Sequence, residues 1–227
     1  MFEQFSFAPQ YLPEIIRGLQ WTLYITVFGV FLGLVLGLLL AIGDLYGPKP
    51  LKAVIAVYVE FFRGSPLFIQ LFIAVYTIPY LINFPINHYV LAFLVFGLNS
   101  AAYQKGYMKG AMETVLTDQM DAGLSTGMTK KQTLWHVVIP QSLRIVIPSW
   151  TNEFCSLTKS SSALGYVGIF NLTAVGTEII SIHYYSALPV WIVIGMIYLV
   201  WITAVARLAD WVYEKKKIPG VELMMQS

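Results

Sequence analysis

Asn152, Glu153 and Ser156 stand deep in apolar sequence, with Ser149 and Ser160 continuing the same three- and four-residue spacing. A carboxylate beside amide and hydroxyl groups at that spacing makes a polar stripe on a helix, suited to a bundle interior or a watery path and unsuited to lipid. Its chemistry is recognition: Glu153 can meet an amino group or a basic side chain, or balance Arg144 or Lys159 of a partner subunit. Structural hydrogen bonding between helices, worth about 0.6–2 kcal/mol per contact, is the competing reading. A second constellation is Glu60, Arg63, Ser65 and Gln70, gathered around Gly64-Ser65-Pro66. Ser65 suits an N-cap and Pro66 a first helical residue, so a half-helix restarts there. Half-helix N-termini inside membranes point at anionic groups, which places Ser65 to face a carboxylate. An ordinary proline kink, with Glu60 and Arg63 neutralising each other three residues apart, accounts for the same pattern. Asn99 and Tyr103 lie four apart on one face of a further apolar run.

Other chemistries lack their residues. Cys155 is the single cysteine, which excludes an internal disulfide and a multi-cysteine metal site. His88, His136 and His183 have no metal-ligand company, so no metal site is expected. No nucleophile stands with a base, and no G-x-x-x-x-G-K-[ST] is present to cradle a nucleotide. A net charge of +2 is too small to argue for nucleic acid.

The elements that position these groups follow from composition. The chain is 57% hydrophobic and 11% charged, with mean hydropathy +0.68. A soluble domain carries about 25% charged residues, so the deficit puts the chain in a bilayer and leaves no soluble domain. Residues 21–42 run without a charge, about 33 Å as a helix, enough to span the hydrocarbon. Within them Gly29, Gly33 and Gly37 form one small-residue face for close packing, with chance as the bland alternative. Further spans are expected at 53–82, broken at Gly64-Ser65-Pro66, and at 89–112, 141–168 and 187–206. Residues 1–20 read as an interfacial segment, 21–212 as one transmembrane domain, 169–186 as a loop, and 213–227 as a tail. The start lacks a basic region and an A-x-A site, so no cleaved signal peptide is expected.

Between the third and fourth spans lies the longest polar interval, 117–140. Asp118 and Asp121 suit the start of one short helix, and Gly127 its left-handed stop. Thr129 and Gln132 then form a capping box for a second helix that runs into Pro140. Five spans put the termini on opposite sides. Lys49, Lys52, Lys130, Lys131 and Lys215, Lys216 and Lys217 share one side, so this elbow and the C-terminus read as cytoplasmic and the N-terminus as outside.

The elbow resembles the EAA loop of bacterial and archaeal ABC importer permeases: Asp121-Ala122-Gly123, then Gly127, then Val137-Val138-Ile139-Pro140. It keeps the loop's spacing and departs from it at Asp121 and Gly123. The runs from Glu60 through Arg63-Gly-Ser-Pro66 to Gln70, Ala102-Tyr103, Pro140-Gln141 through Arg144, and Asn152-Glu153 with Lys159 resemble the polar amino acid branch, of histidine, glutamine and arginine type. That branch usually carries Glu and Arg in its third span, where Gly106 and Lys109 stand here. The resemblance implies an all-α membrane protein of the type I importer permease fold in a bacterial or archaeal cell membrane. It implies docking of a separate ATPase at Asp121, Ala122, Gly123, Leu124, Gly127 and Pro140, with ATP and magnesium bound on that partner and no cofactor on this chain. It also implies a second permease copy or paralogue, an extracytoplasmic solute-binding protein, surrounding lipid, and a polar amino acid moved by alternating access. The candidate path is Glu60, Arg63, Ser65, Gln70, Asn99, Tyr103, Asn152, Glu153 and Ser156. The alternatives are an osmolyte or other small-solute permease and, in another class, a secondary transporter or channel. Against the last stand the five spans, which do not divide into equal halves, and the lack of a chain of intramembrane acids.

Overall fold

Backbone polar groups in hydrocarbon must satisfy one another, which leaves helices as the ready local solution. The computed structural model describes residues 7–183 and 187–217, and its regular structure among them is helical. Helix α1 spans Phe7–Gln10 and α2 spans Leu12–Tyr46. The interfacial segment expected at 1–20 is therefore, from Leu12 onward, the first turns of a 35-residue helix. Pro13 sits in the first turn, where its missing N–H costs nothing, and Glu14 joins it at the positive helix end. The helix stops at Gly47, whose N–H bonds to the Gly43 carbonyl at 2.8 Å, and Pro48 prevents continuation.

Helix α3 (Lys49–Gly64) and the stretch Leu67–Ile82 meet at a bend of 103° across the expected break. That stretch comprises α4 (Leu67–Phe72), a π turn (Ile73–Thr77) and α5 (Ile78–Ile82). Helix α6 then runs unbroken over His88–Ser125, N-capped by Asn87, whose side chain accepts the Tyr89 N–H at 2.8 Å. This corrects the expected end at 112 and the expected helix start at Asp118. No proline interrupts residues 88–125, so helix propagation carries Asp118 into the interior of one rod.

Gly127 takes the expected left-handed conformation, with φ of 85°. The Thr129–Gln132 capping box also forms, opening α7 (Lys130–Thr133). A second π turn (Leu134–Val138) leads into α8 (Ile139–Ile145), so Pro140 continues the path where a stop was expected. The two π turns share one cause. Pro79 and Pro140 each lie two residues past a π turn, and a proline removes a helical donor and crowds the carbonyl four residues back. Widening the turn relieves both problems. The Ile78 N–H reaches the Ile73 carbonyl, and the Ile139 N–H reaches the Leu134 carbonyl.

Helix α9 (Ile147–Ser160) tightens into a 3₁₀ turn (Ser161–Val167) that ends at Gly168, with φ of 73°. Residues expected as a loop then form α10 (Leu172–Ile182), a further correction. Asn171 caps it by accepting the Ala174 N–H at 2.7 Å. Helix α11 covers Ala187–Lys216, and the Lys215 ammonium lies 3.7 Å from the Trp211 ring centroid.

Helices α2 and α6 form the spine. A methyl group on Gly29 would sit 2.8 Å from the Phe96 Cβ, one on Gly33 2.7 Å from the Ser100 Cβ, and one on Gly37 2.9 Å from the Gln104 Cβ. The three pairs advance together along both helices, so α2 and α6 run parallel in close backbone contact. At one end of this seam the Lys105 and Lys109 ammonium groups meet a single Asp44 oxygen at 2.7 and 3.0 Å. Phe7, Ile15, Leu172, Val175, Val190 and Ile194 pack the other end against α10 and α11. Outward faces are apolar, with Phe31 62% and Val57 68% exposed.

Among the described residues, Leu12–Tyr46 and Ala187–Lys216 are each long and apolar enough to cross a membrane. The pair Lys49–Gly64 with Leu67–Ile82, and the pair Ile147–Val167 with Leu172–Ile182 (bent by 47°), raise that to four if each is one crossing.

Candidate functional site

The 103° bend leaves a groove of about 620 Å³ between the α3–α4 break, α6 and α9. Three helical periodicities furnish it. The break contributes Arg63, Gly64, Ser65, Pro66 and Leu67. One face of α6 contributes Asn99, Tyr103 and Tyr107, each four residues on. The polar stripe of α9 contributes Asn152, Glu153, Ser156 and Ser160, with Leu157. The Arg63 guanidinium carbon lies 5.3 Å from the Tyr103 ring centroid, a cation–π contact that holds it over the α6 wall. Glu153 is 5% exposed, lines this groove and also meets the Ser100 hydroxyl of α6 through a side-chain hydrogen bond.

Seven of the nine expected path residues thus come together: Arg63, Ser65, Asn99, Tyr103, Asn152, Glu153 and Ser156. Glu60 and Gln70 do not line the groove. Glu60 is exposed and forms no ion pair with Arg63 among the described residues, because Arg63 is drawn onto Tyr103 instead. Gln70 is 6% exposed and lies behind the wall. Ser65 does not cap the restarting helix either. Pro66 occupies that position with no side-chain cap, while the Ser65 hydroxyl donates back to the Phe61 carbonyl at 2.7 Å. The last carbonyls of α3 have no helical partner, and a hydroxyl four residues on is well placed to supply one. Tyr107 and Ser160 are additional lining residues. Their signal is legible in the spacing, since Tyr107 follows Tyr103 by four and Ser160 follows Ser156 by four.

The elbow has a different character. Asp121, Ala122, Leu124 and Gly127 are exposed around its tip, with Leu124 39% accessible. Gly123 turns inward, where an added Cβ would overlap the Thr133 side chain, so α6 and α7 touch through this glycine. Pro140 is exposed farther along, in the first turn of α8. The Gln141 side-chain amide donates to the Gln119 side-chain Oε1 at 3.0 Å and ties α8 back to α6.

Residues 33–218 match the family described as binding-protein-dependent transport system inner membrane component. The chain is 31% identical over 186 residues to the L-cystine transport system permease protein TcyB of Bacillus subtilis (strain 168), covering 82% of this chain and 79% of that one. It is 30% identical over 190 residues to the glutamine transport system permease protein GlnP of Escherichia coli (strain K12), covering 83% and 86% respectively. Its fold is similar to a chain in a crystal structure of an amino acid ABC transporter with histidines. There the TM-score is 0.82 at 29% identity, over 91% of this chain and 95% of that one.

Proposed function

The chain belongs to the binding-protein-dependent transport system inner membrane components and is a permease component of an amino acid ABC importer, and on that footing we propose that a polar, zwitterionic amino acid crosses through the groove between the α3–α4 break, α6 and α9. The observation that carries this reading is the presence of Arg63 and Glu153 in one groove whose other polar lining is amides, hydroxyls and tyrosines. A free amino acid presents a carboxylate and an ammonium a few ångströms apart, and a guanidinium and a carboxylate answer each in turn.

Coupling runs through the elbow. Its exposed tip, around Asp121, Ala122, Leu124 and Gly127, docks a separate ATPase, which holds the ATP and magnesium for which this chain has no phosphate loop. Helix α6 carries both Asn99 in the groove and Leu124 at the tip. It can transmit a displacement over about 38 Å without an intervening joint. ATP-driven movement of the tip thereby switches the groove between the two sides of the membrane.

Five crossings fit the packing: α2, α3–α5, α6, α8–α9 and α11. Parallel α2 and α6 require one return crossing between them, and the lysine-bearing ends then share the cytoplasmic side with the elbow. The end built from α1, α10 and the start of α11 faces outward, toward a solute-binding protein. A second permease covers part of the apolar flank within the bacterial or archaeal cell membrane.

The test is reconstitution in vesicles with the ATPase and binding protein. L-Glutamine or L-cystine is expected to stimulate ATP hydrolysis, and Glu153→Gln to raise the KM for uptake about tenfold with assembly intact. Uptake without the ATPase overturns the reading, and loss of assembly in Glu153→Gln returns Glu153 to a structural pairing.

A further inference from the structure

Behind the groove, Gln70 and Asn99 close the gap left by the broken helix. The two N–H bonds of the Gln70 amide are shared among three acceptors, the Phe62 carbonyl at 3.0 Å, the Ser65 carbonyl at 3.0 Å and the Ser65 hydroxyl at 2.8 Å. The Asn99 amide nitrogen donates to the same Phe62 carbonyl at 3.2 Å and to the Gln70 carbonyl oxygen at 3.0 Å. Residues 29 and 37 positions apart in sequence are joined this way, and both amides are nearly inaccessible.

The polarity of this clasp is set by the backbone. A main-chain carbonyl only accepts, so the Gln70 atom facing Phe62 and Ser65 is its NH2 group. Its other atom is then the carbonyl oxygen, and the Asn99 atom that meets it must be NH2. Asn99 bonding to the Phe62 carbonyl gives the same orientation independently. Both N–H bonds of Asn99 are thereby used, and the hydrogen-bonding capacity it has left for the groove it lines is its Oδ1 acceptor.

We infer that Gln70 is a positioning residue that locks Asn99 with its carbonyl oxygen toward the groove, so that this wall, together with Glu153, recognises the ammonium group of the amino acid. The inference rests on the groove being the substrate path. It makes the break in α3–α4 more than an opening: the orphaned carbonyls created there orient a side chain on another helix. It also divides the groove by polarity, with acceptors from Asn99 and Glu153 and the fixed cation of Arg63.

The test is equilibrium binding to the permease–ATPase complex in lipid nanodiscs without the binding protein. The probes are L-glutamine, L-cystine, L-histidine and L-arginine, plus the des-amino analogue of whichever binds most tightly. Gln70→Met keeps the shape of the side chain and removes the clasp. It is expected to weaken the amino acid about tenfold, leave the des-amino analogue within twofold, and so erode the preference for an amine. Asn99→Ala gives the same loss of preference, and the double variant loses no more than either single one, because both act through one acceptor. If Gln70→Met does not assemble, the Asn99→Ala measurement decides alone. Equal weakening of both ligands, or an unchanged amine preference in Asn99→Ala, overturns the inference. Absence of binding by all four probes, or binding that Glu153→Gln leaves untouched, overturns the groove reading itself.

Discussion

Replacing Gly33 by alanine tests the spine of the fold. The new Cβ would lie 2.7 Å from the Ser100 Cβ and Oγ and 2.8 Å from the Gln104 Nε2. Ordinary contact begins near 3.4 Å, so α2 and α6 must part by roughly 0.7 Å or their side chains must shift. Ser100 and Gln104 are buried and bonded, Gln104 donating to the Val30 carbonyl at 2.8 Å and to the Ser100 hydroxyl at 2.9 Å. Overpacking of this kind costs about 1–3 kcal/mol, and a strained amide bond adds about 1 kcal/mol. Alanine returns up to about 1 kcal/mol through its better helix propensity. The net expectation is a loss of about 1–3 kcal/mol, or roughly 2–12 °C in melting temperature for a chain of this size. Gly195→Ala is the internal control, because nothing lies within 4 Å of a methyl group there, and it is expected to melt at or slightly above the parent. The single, half-buried Cys155 serves as reporter, reacting with a thiol-specific dye as the purified permease unfolds in detergent. A Gly33→Ala variant that melts with or above Gly195→Ala would refute the close parallel packing of α2 and α6.

Three further perturbations separate the parts of the molecule. Gly123→Val is expected to push α7 off α6 and lower ATPase retention on an affinity column at least tenfold; undiminished retention would detach the elbow from docking. Gly127→Ala, forced into a φ of 85°, should cost about 1 kcal/mol and Gly127→Asn less, read as an ordering of melting temperatures. Asp44→Asn leaves Lys105 and Lys109 without their shared carboxylate and should destabilise the seam by about 1–3 kcal/mol. Because the partners of the Lys105–Asp44 pair are only 14% and 15% exposed, added salt should scarcely reproduce that effect in the parent; a large salt response would contradict a sheltered pair.

Features governed by local chemistry were legible in the chain. Ser65-Pro66 marked the break, Gly127 the left-handed turn, Thr129 with Gln132 the capping box, and the glycine spacing the packed face. Each depends on residues within a turn or two of one another. The misread features depend on competition or distance. Ser65 had two helix ends to serve and took the one behind it. The acids of the elbow looked like caps, yet nothing in residues 88–125 obliges the helix to stop. Asn171 caps α10 in the structure, but the short run after it, with Glu178 near its middle, read as a loop. Gln70 looked like part of the path because it shares a motif with Arg63, while its partner on α6 is 29 positions away. The groove itself was half legible: the α9 stripe and the Asn99–Tyr103 face follow from periodicity, but their meeting follows from the bend.

The two π turns also change how the helices around them are indexed. Each houses one residue more than an α-turn, so side chains beyond it are rotated by about 100° from the positions that uninterrupted counting would assign. Between Thr133, which touches the elbow glycine, and Ile139, where α-helix resumes, that offset is built into the chain. Removing one residue from 134–138 while replacing Pro140 would let a regular α-helix form with the residues beyond it in their present phase, whereas tightening the turn with the extra residue still in place would rotate them by about 100°. A substitution that lets the turn tighten is therefore the change this segment should resist, and Pro140 is the residue that keeps the extra one in place.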